Sequence, residues 1–237
     1  MTTPGDLHVV RRPQLDDRLG RQVVHDPQSK RFLVPRAVDL PVASFRHRVF
    51  DPDPTPFQQI GCCTGCDQCI RADTAGNRVR GTVLGMADAI KFYSWASAND
   101  PWPGAYPPED TGSSGLAAAK AAKFYGVIDR YEWIVQGVDV LLTQLRSRPV
   151  GVGTWWTDNM FNVDPESLII GEGGAEAGGH QWSLIGWSRR FNAFEGQCWW
   201  GDDWAQRSLF RIRKQHLADL LADDGDAHVS YRAGATG

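Results

Sequence analysis

The pattern of apolar and polar positions divides the chain into three stretches. Residues 1–56 are polar, basic in patches and broken by Pro4, Pro13, Pro27, Pro35, Pro41, Pro52, Pro54 and Pro56. Only Ala43 to Phe50 alternates with the period of a strand, and the remainder reads as an extended arm. From Cys63 the pattern is helical: Cys63 to Ala72, Gly85 to Ala98, then LAAAKAAKFY behind a cap at Ser113 or Ser114 and a stop at Gly126. Between the last two, PWPGAYPPEDTGSSG has the composition of a long ordered loop. A further helix spans Val138 to Arg146, before Pro149.

Strands follow. PVGVGTWW is β-branched and spaced by glycine, HQWSLIGW alternates from His180, and Gln197 to Trp200 and Ser208 to Ile212 continue the pattern. A short helix over Lys214 to Leu221 and an acidic tail, ADDGDAH, close the sequence. Helices first and strands later predict an α+β protein with segregated lobes. The expected division is an arm over 1–45, a helical lobe over 46–146 and a β-rich lobe over 147–237.

With 237 residues, 42% hydrophobic and 22% charged, the chain falls among ordinary globular proteins. A net charge of -3 gives no electrostatic reason to expect nucleic acid or an anionic membrane as partner. No apolar stretch approaches the roughly 18 residues of a membrane span, and the N-terminus lacks the apolar core of a signal peptide. The expected location is therefore the cytoplasm or a particle assembled there. Of the ten tryptophans, those at 155, 156, 182, 187, 199, 200 and 204 crowd one region, where a dense aromatic core or cleft wall is expected.

Cys62, Cys63, Cys66 and Cys69 lie too close together to staple distant loops, so the cluster points to thiol chemistry or metal binding. Three segments carry the candidate chemistry: QQIGCCTGC at 58–66, GGHQWSLIGW at 178–187 and CWWGDDWAQRSLFRI at 198–212. A thiol after glycine at a helix start gains from the helix dipole and free N–H groups, which lower its pKa and hold an oxyanion. A histidine on a strand edge after two glycines can approach that thiol. Taken singly, the segments favour a buried structural cysteine and a core histidine.

In order and spacing the three segments resemble the papain-like cysteine peptidases, in particular bacterial and phage-type members. Gly61-Cys62-Cys63-Thr64-Gly65 is similar to their G-S-C-T-G, Gly178-Gly179-His180 to their G-G-H, and Trp200-Gly201-Asp202-Asp203-Trp204 to W-G-x-x-W. The resemblance covers roughly residues 45–230 and includes YPPEDTGSSGLAAAKAAKFYGVI and PVGVGTWWTDNM. It implies a two-lobed fold with a helical N-terminal lobe, an antiparallel, barrel-like β lobe and the site in the cleft. Cys63 would be the nucleophile and His180 the base, with a peptide or protein substrate and no cofactor.

The sequence departs from the family at three places. Cys198 stands where the Asn that orients the histidine is expected. Phe57 occupies the oxyanion glutamine's place, so Gln58 takes that role only with one residue fewer in the spacer. The helix after Cys63 carries Cys66, Asp67, Gln68 and Cys69 instead of small apolar residues. A zinc site of the Cys₃His kind from Cys63, Cys66, His180 and Cys198 is a rival reading, but the simpler expectation is no metal, with Cys66 and Cys69 as buried packing residues. The alternative to a hydrolase is an inactive papain-fold binding or structural protein, such as a phage-particle component docked through its arm. Asp202 and Asp203 read as solvated, and Glu109 and Asp110 as fixing the loop before the helix cap. His8, His25, His47, His216 and His228, in arms or surface-like segments, are assigned no chemistry, and the Trp155, Trp156, Trp182 and Trp187 set reads as core.

Overall fold

The computed structural model describes residues 7–40, 42–75, 77 and 83–232. In chain order the elements are β1 (His8–Val10), β2 (Val23–His25), β3 (Phe45–Arg46), α1 (Cys63–Ala72), α2 (Met86–Asn99), α3 (Gly115–Phe124), β4 (Arg130–Trp133), α4 (Val138–Leu145), β5 (Val150–Thr157), β6 (Glu176–Ser188), β7 (Ala193–Gln197), β8 (Leu209–Arg213), α5 (Lys214–Ala222) and β9 (Asp226–Tyr231). Strands β4, β9, β5, β6, β7 and β8 lie side by side in that order in one antiparallel sheet, and β3 adds to β6.

Every residue of α1 is buried, because the helix runs between α2 and α3 on one side and the sheet on the other. Its crossing with α2 requires a glycine: a Cβ on Gly65 would lie 2.1 Å from the Ala89 carbonyl oxygen. α3 is alanine-rich, and the Ser114 hydroxyl accepts from the Ala117 N–H at 3.1 Å to cap it. Gly126, at φ +69, lies just beyond its end. The sheet's inner face carries the larger core, in which Trp156, Trp182, Trp187, Trp200, Phe194 and Phe210 pack with Leu141 and Leu145 of α4. Trp155 is also buried.

The structure departs from expectation at five places. The strand expected over Ala43 to Phe50 pairs only at Phe45–Arg46. The strand expected over Gln197 to Trp200 lies earlier, as β7. β1 and β2 pair as a hairpin within the arm, and β4 and α4 pack with the sheet, so the chain crosses to that side before residue 146. The acidic tail is no tail: β9 is an interior strand between β4 and β5.

β9 reads as polar because its buried polar groups have partners far away in sequence. The Arg21 guanidinium donates to Asp226 at 2.6 Å. Arg71 of α1 donates to the Ser230 hydroxyl at 2.6 Å and to His228 Nε2 at 2.8 Å. His228 is therefore a buried neutral imidazole; burial, and then Arg71, hold its pKa far below the ordinary histidine value. Arg71 also pairs with Asp67 one turn earlier at 2.9 Å, and Asp67 accepts from the Ser183 hydroxyl at 2.7 Å. These bonds tie α1 to β6 and β9 through a buried charge pair whose polar atoms are largely satisfied.

Candidate active site

Cys63 is the first residue of α1 and is fully buried. Its thiol is pushed up to about 12 by loss of solvent, against which backbone hydrogen bonds from Gln181, Thr64 and Gly20 act only in part. The sequence predicts a depressed pKa at this helix start. The structure reverses that expectation, because the thiol is covered by protein.

What covers it is the arm. Between β1 and β2, residues 11–22 run through the cleft in contact with both walls. On the sheet side, the Leu15 N–H donates to Ala177 O at 2.9 Å, and the Gly20 and Arg21 N–H groups donate to Gly179 O at 3.0 and 2.9 Å. On the helical side, the Gln22 N–H donates to Ser113 O at 2.7 Å and the Ser113 N–H to Gly20 O at 2.8 Å. Glycines make room on both walls. A Cβ on Gly20 would lie 2.0 Å from the Gly61 oxygen, and one on Gly179 would lie 2.0 Å from the Arg21 oxygen. The space that Gly179 leaves beside His180 is thus occupied by the arm's backbone, and that at Gly178 by the side chains of Gln14 and Leu19.

Gln58 reaches this segment. Its Nε2 donates to the Arg18 carbonyl at 3.0 Å and to Ile60 O at 2.8 Å. Leu19 is buried in the aromatic core with Trp156. The Arg18 guanidinium lies 4.8 Å from the Trp200 ring centroid and pairs with Asp16 at 2.7 Å. Asp110, expected to fix a loop, accepts from the Gly61 N–H at 2.8 Å and from the Tyr93 hydroxyl at 2.5 Å, so it braces the turn into α1.

His180, on β6, is packed between aromatic rings: Trp200 at 4.6 Å, tilted by 32°, and Trp156 at 5.1 Å, edge-on. Neither ring nitrogen has a hydrogen-bond partner among the described residues. Burial, with the Arg18 charge adding to it, drives its pKa down to about 3, and Asp16 opposes weakly. The imidazole is therefore neutral, and no Cys63/His180 ion pair exists in this state. The Cys198 thiol lies 3.9 Å from Ser208 O and makes no hydrogen bond to the imidazole. Burial raises its pKa well above the usual thiol value.

The rival zinc tetrad is not assembled. Cys66 sits with its sulfur 3.7 Å from that of Cys62, in the core with Phe92 and Tyr93, where Cys69 is also buried. Among the described residues, the metal-ligating groups that converge are His8, His25 and Asp224, remote in sequence from every cysteine. His228, assigned to a surface-like segment, is a buried partner of Arg71. Asp202 and Asp203 are exposed as expected, with Asp202 paired to Arg207 at 2.9 Å. The cleft-filling segment itself was not legible from the sequence; its one signal is Gly20, a lone small residue between Leu19 and Arg21.

No family model and no curated protein matches the sequence. Solved structures do match in fold. Xylellain, a cysteine protease from Xylella fastidiosa, is 13% identical with a TM-score of 0.63, over 95% of this chain and 100% of that one. The procathepsin B S9 of Trypanosoma congolense is 12% identical with a TM-score of 0.62, over 91% and 87%. The digestive procathepsin L 3 of Tenebrio molitor is 13% identical with a TM-score of 0.59, over 91% and 76%. The fold is that of the papain-like cysteine proteases, α+β with a large antiparallel sheet.

Proposed function

We propose that this papain-like chain is a thiol-dependent hydrolase, a peptidase or amidase, held latent by its own arm. In the open form Cys63 attacks a substrate carbonyl as the thiolate, and His180 takes the thiol proton and returns it to the leaving amine. The Gln58 amide and the Cys63 N–H stabilise the oxyanion, and water then hydrolyses the acyl-enzyme. The observation that carries this reading is the seat of residues 18–20. A peptide carbonyl, that of Arg18, accepts from the Gln58 amide at 3.0 Å. Two residues later the Gly20 N–H reaches the sheet wall at 3.0 Å and lies against the Cys63 thiol. An extended peptide substrate would need the same contacts from the same two walls.

A second reading has its own support. Among the described residues His180 has no orienting partner and the Cys198 thiol bonds elsewhere, which favours an inactive papain-fold binding or structural protein of the cytoplasm or a particle. Gly20→Ala separates the two, because the added Cβ has no room against Gly61 and unseats the arm. Hydrolysis of peptide or ester substrates by Gly20→Ala under reducing conditions, abolished by adding Cys63→Ala, is the expected result. Free alkylation of Cys63 in Gly20→Ala without any hydrolysis would move the conclusion to the binding protein.

A further inference from the structure

The arm carries a second cluster of reactive groups that the hydrolase reading does not use. His8 and His25 are cross-strand partners in the β1–β2 hairpin, with their rings stacked at 5.5 Å and only 7° from parallel. Asp224, in the turn between α5 and β9, faces both: its Oδ1 is 2.9 Å from His8 Nε2 and 3.9 Å from His25 Nε2. One donor atom from each of the three lies within 4.8 Å of the others. Tetrahedral zinc, with ligand bonds of about 2.0–2.2 Å, needs donor atoms about 3.3–3.5 Å apart, so changes of up to about 1.4 Å in donor separation, within reach of rotatable side chains, would bring these donors into place.

We propose that His8, His25 and Asp224 form a site for a divalent transition-metal ion of the zinc class, which locks the β1–β2 hairpin to the β lobe and so holds the cleft-filling segment in place. Two imidazoles and one carboxylate suit zinc, and water completes the fourth position on the open side, where His8 is 54% exposed. The neighbouring Arg21 is already engaged. It donates to the Asp224 carbonyl at 2.7 Å and to Asp226 at 2.6 Å. Among the described residues no carboxylate or carbonyl receives the other ring nitrogen of His25, so the ion lacks the outer support that tight structural sites have, and its binding is reversible.

The locking follows from topology. The residues between β1 and β2 are those that cross the cleft, and both histidines stand at the open end of the hairpin that carries that loop. Asp224 belongs to the body of the fold. An ion bridging all three binds the closed arm and not the open one, so at 100 times its dissociation constant it lowers the open population about 100-fold. The metal site stands on the His8, His25 and Asp224 geometry alone; only the lock rests on the arm's covering Cys63, and neither requires catalysis.

The test uses the full chain with zinc as the probe. Calorimetry should show one saturable ion, weakened at least about tenfold by His8→Ala and by Asp224→Asn; Asn keeps the φ of +54 that Asp224 adopts. Cobalt(II) should bind without a thiolate charge-transfer band. Zinc should slow alkylation of Cys63 in the parent chain and leave His8→Ala unaffected. Absence of saturable binding, binding indifferent to both substitutions, or a thiolate band would overturn the site. Binding as expected with Cys63 alkylation unchanged by zinc would overturn the lock. Failure of hydrolysis in any variant bears on the proposed activity and on neither of these.

Discussion

The Gly20 amide donates to Gly179 O at 3.0 Å, one residue before His180, and stands so close to Gly61 that a methyl group would overlap its carbonyl. One residue of the arm thus spans both walls of the cleft at the level of the two candidate reactive groups. The contact accounts for the state of both: a thiol kept protonated and an imidazole kept neutral, each because water is excluded.

Cys63 should therefore be slow to alkylate in the parent protein at neutral pH. Thiolate is the reactive species, and a thiol pushed up to about 12 holds little of it. Gly20→Ala should raise the rate at Cys63 by at least about tenfold as the pKa falls back toward the free value, and leave Cys69, buried away from the arm, unchanged. Peptide mapping after iodoacetamide treatment ranks the cysteines. Rapid labelling of Cys63 in the parent chain would show that the arm does not cover it in solution.

Acid should lift the arm before it unfolds the protein. With the arm seated, His180 titrates near 3 rather than near 6.5. Its folded pKa is depressed, and for a base this means the open form binds the proton first. The seat is fully stable above about pH 6.5 and loses stability as pH falls toward 3, by up to about 5 kcal/mol. Of the charges near the ring, Arg18 adds to this loss and Asp16 offsets it in part. Hydrogen exchange at the Gly20 and Arg21 amides should accelerate below pH 6 ahead of the β6–β7 amides, and His180→Phe should remove the difference.

The Asp67–Arg71 pair should be costly to break from either side. Both side chains are essentially inaccessible, at 0% and 1% exposure. Removing one leaves the other's charge buried without its counterpart, at about 3–5 kcal/mol. Arg71→Met also withdraws the donors to Ser230 and His228, so it should lower the denaturation midpoint at least as much as Asp67→Ala. A denaturant titration should find the double variant less destabilised than the two single losses added together, since the unpaired-charge penalty is then gone; simple additivity would overturn this.

The helices α1 to α5 were legible because each has a local cause: the alanine run behind Ser114, the glycine at 126, the proline after α4. β5 and β6 were legible from alternation and β-branched content. β9 was not, because Asp226, His228 and Ser230 look solvated until Arg21 and Arg71 are brought to them from the opposite end of the chain. Motif spacing puts Cys63 at a helix start and His180 on a strand, where the structure has them, but the protonation of the thiol and the imidazole could not be read from it. That depends on Leu19 and Gly20, which carry no motif and act by filling space. The pairing of His8 with His25 was hidden for a similar reason, since a three-residue strand gives too little alternation to stand out in a polar arm.

Cys198 tests whether the site is complete apart from one residue. Its thiol is a weak hydrogen-bonding group, and it lies 3.9 Å from Ser208 O while the His180 nitrogens have no partner among the described residues. In Gly20→Ala, where the cleft is open, Cys198→Asn would offer a carboxamide oxygen to the imidazole N–H and fix both tautomer and ring direction. Thiol-dependent hydrolysis should then rise about 10- to 100-fold, on the scale of orientation effects. The substitution also puts an amide into a core of Trp156, Trp200 and Phe210. Without a partner, that amide would cost about 1–3 kcal/mol, so the thermal midpoint is measured alongside the rate. Faster hydrolysis at slightly lower stability is the expected outcome. An unchanged rate in a folded Gly20→Ala/Cys198→Asn protein would mean that the imidazole does not turn toward position 198 when the arm leaves, and that Cys198 is a packing residue of the β lobe rather than a substitute for the family's asparagine.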